Sequence, residues 1–263
     1  MPSTDGEIET PNPNSQGENS SNKYPEAGIG LCLSGGGYRA MLFHVGVLWR
    51  LNELNYLQKL DRISSVSGGS ITAAVLGMNW NNLSFDGGVA QKFDNYLTQP
   101  IREMASQSID VKSGLSGLFW FGTISEKVEK SYQKYLFQEK TLQALPDTPR
   151  FVINATNVQS GALWRFMKPY MRDYLVGEVK APRITLAKAV AASSAFPPVL
   201  SPARMTLEPD QFTSNSGTAL QRTPYTSEVV LSDGGVYDNL GMEAVYKRYK
   251  TILVSDAGGK LQP

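Results

Sequence analysis

Ser67 stands where the stretch ISSVSGGSITAA, residues 63–74, passes from β-branched residues to an apolar helical pattern. Gly68 and Gly69 follow it directly. A serine on a tight strand-to-helix turn presents its hydroxyl as a nucleophile, because small neighbours let the backbone fold sharply behind it. The pattern of such an elbow is G-x-S-x-G, and here Ser65 takes the place of the first glycine. A plain turn or helix N-cap serine is the competing reading of the same residues.

A serine nucleophile needs a base, and the chain holds a single histidine, His44, seven residues after Gly37. A Ser-Asp-His hydrolase of the elbow type carries its histidine after the serine in chain order. The base is therefore a carboxylate, or Ser67 is inert, unless a histidine lies in a segment beyond residue 263. His44 is expected to be a helix residue satisfied by a neighbour. Asp233 follows the apolar run VVLS and precedes Gly234 and Gly235, which permit a close turn. Asp256, in the similar SDAGG, is the second choice. Each competes with the ordinary role of a strand-terminal aspartate, the capping of a turn.

Attack on an ester carbonyl also needs a cradle for the developing oxyanion. Gly35, Gly36 and Gly37, in SGGGYRA, leave backbone N–H groups unobstructed at a helix N-terminus, where the helix dipole favours negative charge. Arg39 puts a cation into that first turn, against the dipole, which points to a structural or functional reason for it. The spacing Gly35-x-Gly37-x-x-Ala40 also matches a dinucleotide fingerprint. That fingerprint wants an acidic residue at the end of the second strand, and the second strand ends instead at Ser67.

The elements that position these residues alternate between strand and helix. Strand signals lie at 28–34, 63–66, 150–158, 228–233 and 250–256, and helical signals at 38–57, 71–78, 186–196 and 241–249. A helical middle covers 86–137, Pro197 and Pro198 stop the helix before them, and 208–227 is a long polar loop. This order predicts an α/β domain, a three-layer α/β/α sandwich around a mainly parallel sheet with helices on both faces. Chemistry in such sheets gathers beyond the carboxyl ends of the strands.

With 263 residues, 41% of them hydrophobic, the chain can build one large core. A net charge of +1 gives no global field for nucleic acid. The lone Cys32 rules out a disulfide framework within the chain and suits a reducing compartment. No apolar run reaches the roughly 18 residues of a membrane span, and no secretory signal is visible at the N-terminus. Residues 1–23 are expected to be a disordered tail, and 24–263 a single domain. The terminal strand signal, with little after it, leads to the expectation that a C-terminal segment is missing. The expected location is cytoplasmic, peripheral at membranes, with no metal or cofactor.

Taken in order, GGGYRA, the serine elbow, ASSAFPP and DGG resemble the patatin-like phospholipase family over about residues 28–259. The resemblance implies a three-layer α/β/α domain with a Ser-Asp dyad and no catalytic histidine. It matches Ser67 to the nucleophile, Asp233 to the base, and Gly36 and Gly37 to the oxyanion loop, together with Gly35 and Arg39. Ser65, Gly68, Gly69, Gly234 and Gly235 would support the elbow and the base loop, and Ser193–Pro198 would be scaffold lining the site. Ser65 and Ala40 depart from the family's glycines, and both are small. The implied substrate is a lipid acyl ester: a phospholipid, a lysophospholipid or a neutral glycerolipid. The rivals are a catalytically inactive lipid-binding protein of the same fold and a nucleotide-binding Rossmann-type domain.

Two stretches bear on a lipid surface. Leu115, Leu118, Phe119, Trp120 and Phe121 could dip into a bilayer or pack as a helix edge in the core. Arg165, Lys168, Arg172, Lys180 and Arg183 could form a headgroup patch, but the expected reading is a solvated face.

Overall fold

The computed structural model describes residues 25–106, 124–198 and 200–258. The expected tail at 1–23 and the apolar stretch 115–121 lie outside these residues. Strand β1 (Glu26–Leu33) leads into helix α1 (Gly37–Glu53), and β2 (Arg62–Val66) into α2 (Gly68–Met78). A two-stranded hairpin, β3 (Phe85–Asp86) and β4 (Val89–Ala90), precedes α3 (Gln99–Ser106) and α4 (Ile124–Tyr132). Strands β5 (Arg150–Asn157), β6 (Ala162–Phe166), β7 (Tyr170–Asp173) and β8 (Gly177–Lys180) come next, followed by α5 (Leu186–Ser193). The chain closes with β9 (Ala203–Thr206), β10 (Glu228–Asp233), the short α6 (Gly235–Asp238) and β11 (Tyr249–Ser255).

The main sheet runs β11-β1-β2-β5-β6-β7-β8, with β9 and β10 joined to it through β5. Its central strands β11, β1, β2 and β5 are parallel, while β6, β7 and β8 add an antiparallel flank. Side chains alternate between the two faces of a strand. Leu31, Leu33, Ile63, Phe151, Ile153 and Phe166 therefore join α1–α5 in one large core. On the opposite face Val152, Met167 and Tyr170 pack with Ala244 in a smaller cluster. The α/β architecture expected from the strand–helix alternation is present, with helices flanking a sheet of parallel central strands. Helix α1 shows why: Ala40, Met41, His44, Val45, Leu48 and Asn52 recur at helical spacing and are all buried.

Two expectations are corrected. Residues 243–248 form turns rather than a helix. Asp238 takes up the N–H groups of Leu240 (3.2 Å), Gly241 (3.1 Å) and Glu243 (2.8 Å) on its carboxylate, and Gly241 adopts φ 68°. Past these capped N–H groups the backbone closes separate turns, from the Val245 and Tyr246 N–H to the Met242 carbonyl and from the Arg248 N–H to the Val245 carbonyl, in place of a continuous helical ladder. The second correction concerns the basic stretch, which is neither a solvated face nor a headgroup patch over its length. Arg165 on β6 and Arg172 on β7 face each other across the antiparallel pair and are both buried. Glu243 approaches Arg165 (3.7 Å) and Glu178 approaches Arg172 (3.5 Å). Of the five basic residues, Lys180 and Arg183 are exposed, and Lys168 pairs with Asp147 at 3.0 Å. Among the described residues, no helix is long and apolar enough to cross a membrane.

Candidate active site

Strand β5 brings the two proposed catalytic side chains together. One of its sides pairs with β6. Along the other, β2 and β10 lie end to end, approaching from opposite directions. Val66, the last residue of β2, pairs with Asn154, and Asp233, the last residue of β10, pairs with the adjacent Ala155. The carboxyl ends of a parallel and an antiparallel strand thus meet at one point, where Ser67 and Asp233 stand.

Ser67 has φ 51° and ψ −119°, a conformation costly for a residue with a side chain. Its surroundings hold it there. The Ser67 N–H donates to Ser193 Oγ at 3.0 Å, and Ser193 Oγ reaches the Asn154 carbonyl at 2.6 Å and lies 2.9 Å from Ser70 Oγ. Ser70 Oγ also reaches Ser65 Oγ (3.1 Å), which donates to the Val152 carbonyl (3.1 Å). Ser65, the departure from the elbow pattern, thus supplies a hydroxyl to a buried chain that steadies the turn. Gly68 is required for space, since a Cβ there would overlap the Gly37 carbonyl oxygen. The Ser67 turn and the glycine loop lie backbone against backbone.

Asp233 is 4% exposed. Burial pushes its pKa up from the ordinary carboxylate value. The Gly235 N–H, donated at 2.7 Å, and the Ser67 side chain oppose that rise by favouring the charged form. Thr156 Oγ1 donates to the Asp233 carbonyl at 2.8 Å and fixes the strand end. The alternative base, Asp256, is exposed and accepts the Gly258 N–H at 2.9 Å, as a turn cap does.

His44 is fully buried and stands elsewhere. Its Nε2 donates to the Ser34 carbonyl (2.9 Å), which leaves Nδ1 to accept from Ser255 Oγ (2.8 Å). Both ring nitrogens are engaged, and burial lowers its pKa. The ring ties α1 to the ends of β1 and β11.

The three glycines of the cradle differ from one another. The Gly35 N–H donates to the Asn239 carbonyl at 3.0 Å, so it is not available to an oxyanion. Among the described residues, no hydrogen bond takes up the N–H of Gly36 or Gly37. These two residues adopt φ 140° and 65° at the N-terminus of the 17-residue α1. They leave two donors and the positive end of a helix dipole beside the Ser67 turn. Arg39 is exposed in the first turn.

Ser193, from the segment expected to line the site, holds the elbow together with Ser70 and Asn154. Ser70, Asn154 and Asn239, which meets the glycine loop, carried no sequence signal of their own. Tyr132, on α4, lies close enough to Asp233 and to Tyr38 of α1 to feel both. Burial pushes Tyr38 up to about 12 and Tyr132 higher still, so both remain neutral hydroxyls. An open cavity of about 760 Å³ among loop residues 209–226 includes neither Ser67 nor Asp233.

A family model described as Patatin-like phospholipase matches residues 31–246, a span that includes Ser67 and Asp233. Among solved structures, human GIVD cytosolic phospholipase A2 is similar at a TM-score of 0.55 and 14% identity, over 86% of this chain and 42% of that one. The same human protein in complex with methyl gamma-linolenyl fluorophosphonate is similar at a TM-score of 0.50 and 14% identity, over 86% and 39%. At such identity the likeness is one of fold. The chain spans less than half the length of these neighbours. No curated protein matches it in sequence.

Proposed function

The chain belongs to the patatin-like phospholipase family, a family of lipid acyl hydrolases, and from that premise we propose that it cleaves fatty-acyl esters through a Ser67–Asp233 dyad. The observation that carries the reading is the end-to-end meeting of β2 and β10 beside β5, which sets a strained serine against a buried carboxylate. Ser67 Oγ attacks the ester carbonyl carbon while Asp233 accepts its proton. The tetrahedral oxyanion rests on the Gly36 and Gly37 N–H groups. As the intermediate collapses, Asp233 passes the proton to the departing alcohol, leaving an acyl-serine. Water, deprotonated by the same carboxylate, then attacks the acyl-serine, and the fatty acid leaves as Ser67 regains its proton.

The substrates proposed are phospholipids and lysophospholipids, in keeping with the family. We further propose that residues 24–263 act as one domain working peripherally at a membrane surface. The single buried cysteine suits the reducing cytoplasm.

The test is labelling with a fluorophosphonate, which forms a stable adduct with an activated serine. One equivalent is expected on Ser67, with no labelling and no hydrolysis of p-nitrophenyl esters in Ser67→Ala. Labelling that persists in Ser67→Ala would remove Ser67 from the mechanism. An unlabelled wild-type protein that still binds lipid vesicles would favour the inactive lipid-binding reading.

A further inference from the structure

The Asn239 side chain occupies space that glycines leave at three strand ends. A Cβ on Gly35, past the end of β1, would overlap Asn239 Oδ1. A Cβ on Gly235, in the base loop after β10, would come within 2.6 Å of the same oxygen. One on Gly258, past β11, would lie 3.0 Å from Asn239 Nδ2. The Asn239 amide therefore sits between the oxyanion loop and the base loop, touching the backbone of both.

Its own backbone is fixed from two directions. The Asn239 carbonyl accepts the Gly35 N–H at 3.0 Å. The preceding Asp238 binds the N–H groups of Leu240, Gly241 and Glu243. The Gly241 carbonyl in turn accepts from Ser64 Oγ at 2.6 Å, on the strand that leads into Ser67. Gly35 also faces the nucleophile, since its absent Cβ would lie 3.4 Å from Ser67 Cβ. A displacement of Asn239 therefore reaches the cradle, the base loop and the nucleophile together.

We propose that Asn239 is a positioning residue, setting the distance between the Gly36–Gly37 donors and Asp233 by wedging its amide between Gly35 and Gly235. The inference rests on the Ser67–Asp233 reading and adds to it a part that acts through other residues. The donors must lie where the oxyanion forms while the base stays within reach of Ser67 Oγ. A misplacement near 1 Å can cost about 100-fold in rate.

A double-mutant cycle between Gly35 and Asn239 tests the wedge. Asn239→Ala is expected to lower kcat about 10- to 100-fold on p-nitrophenyl esters, with KM within about twofold. Gly35→Ala, whose new methyl strikes the Asn239 amide, should lose at least as much. In the double variant the methyl has room, so its kcat should equal that of Asn239→Ala alone rather than show both losses. Asn239→Ser, which also lacks the wedging amide, serves as the second variant should Asn239→Ala fail to fold; it too should lose kcat without a matching rise in KM.

Additive losses in the double variant, or an Asn239→Ala kcat within about twofold of wild type, would overturn the proposal. So would a loss in Asn239→Ala that follows a lowered melting temperature and is absent from Asn239→Ser. Asp233→Asn, assayed alongside, keeps the two readings apart. If it stays active the dyad has failed, and if it is dead while the cycle is additive only the Asn239 wedge has failed.

Discussion

Ser193→Ala tests whether the buried hydroxyl chain, rather than the turn sequence alone, holds Ser67 in its strained conformation. The substitution removes the acceptor of the Ser67 N–H (3.0 Å) and the donor to the Asn154 carbonyl (2.6 Å). Ser193 is fully buried, so bulk water does not replace either partner. Leaving a buried polar group unsatisfied costs about 1–3 kcal/mol. One such group would lower the melting temperature by about 2–12 °C, at about 2–4 °C per kcal/mol for a chain of this size. The released turn lets Ser67 relax from φ 51°, and a shift approaching 1 Å would lower turnover up to about 100-fold. Thermal unfolding followed by circular dichroism measures the first effect, and steady-state hydrolysis of p-nitrophenyl esters the second. A variant that melts within about one degree of wild type and turns over within about twofold would refute the reasoning, since the N–H must then have found another acceptor.

Asp233→Asn should lower kcat by about 10²–10⁴, nearly as far as Ser67→Ala, with the wild-type kcat/KM rising with pH as the carboxylate ionises, above the ordinary aspartate range. Because burial raises the Asp233 pKa, the stability linked to its neutral form is present below the unfolded value and lost as pH rises through the folded one. The asparagine variant should therefore melt above wild type at pH 7, with the gap closing in acid; a variant less stable at pH 7 would contradict this. Gly36→Ala should cut kcat about 10²-fold, as for a displaced oxyanion donor, because its methyl meets Ala40 Cβ at 3.0 Å and the Ala257 carbonyl at 3.2 Å. Gly37→Ala should be milder, as its added methyl meets no other part of the fold within 4 Å and only the strain of φ 65° remains, and the reverse order in kinetic assays would count against the cradle as described. His44→Ala should keep most activity per folded molecule yet melt lower. Since burial lowers the His44 pKa, the stability tied to its neutral form is lost as pH falls through that lowered value, and acid should cost wild type more than the variant; a folded but inactive His44→Ala would make the histidine part of the chemistry.

Sequence and tertiary structure divided the molecule along physical lines. The elbow at Ser67 and the loop Gly35–Gly37 were legible because their backbone conformations depend on neighbours a few residues away: small residues after a buried strand, glycines before an apolar helix. The single histidine, preceding the serine, was enough to turn the search for a base toward carboxylates. Burial was less legible. Arg165 and Arg172 read as a solvated face because charge normally stays in water. Their place in an antiparallel flank, beside Glu243 and Glu178, is set by strand pairing. The helix expected at 241–249 is a run of turns, whose N–H groups share the Met242 and Val245 carbonyls rather than build a continuous ladder.

Asp233 stands out in the sequence by its local pattern, a strand end followed by glycines, and that pattern says nothing about strand direction. Only the fold brings β10 in antiparallel along β5 until it meets the end of β2. Among the supports of the site, Ser193 was legible only as part of a scaffold segment, without its partners, and Asn239 not at all. Ser193 reaches Ser67 across 126 positions of chain, and Asn239 meets Gly35 from a distant loop. A residue's type and near neighbours fix what its backbone can do locally, whereas its partners across the chain exist only once the core has collapsed and the strands have chosen their order.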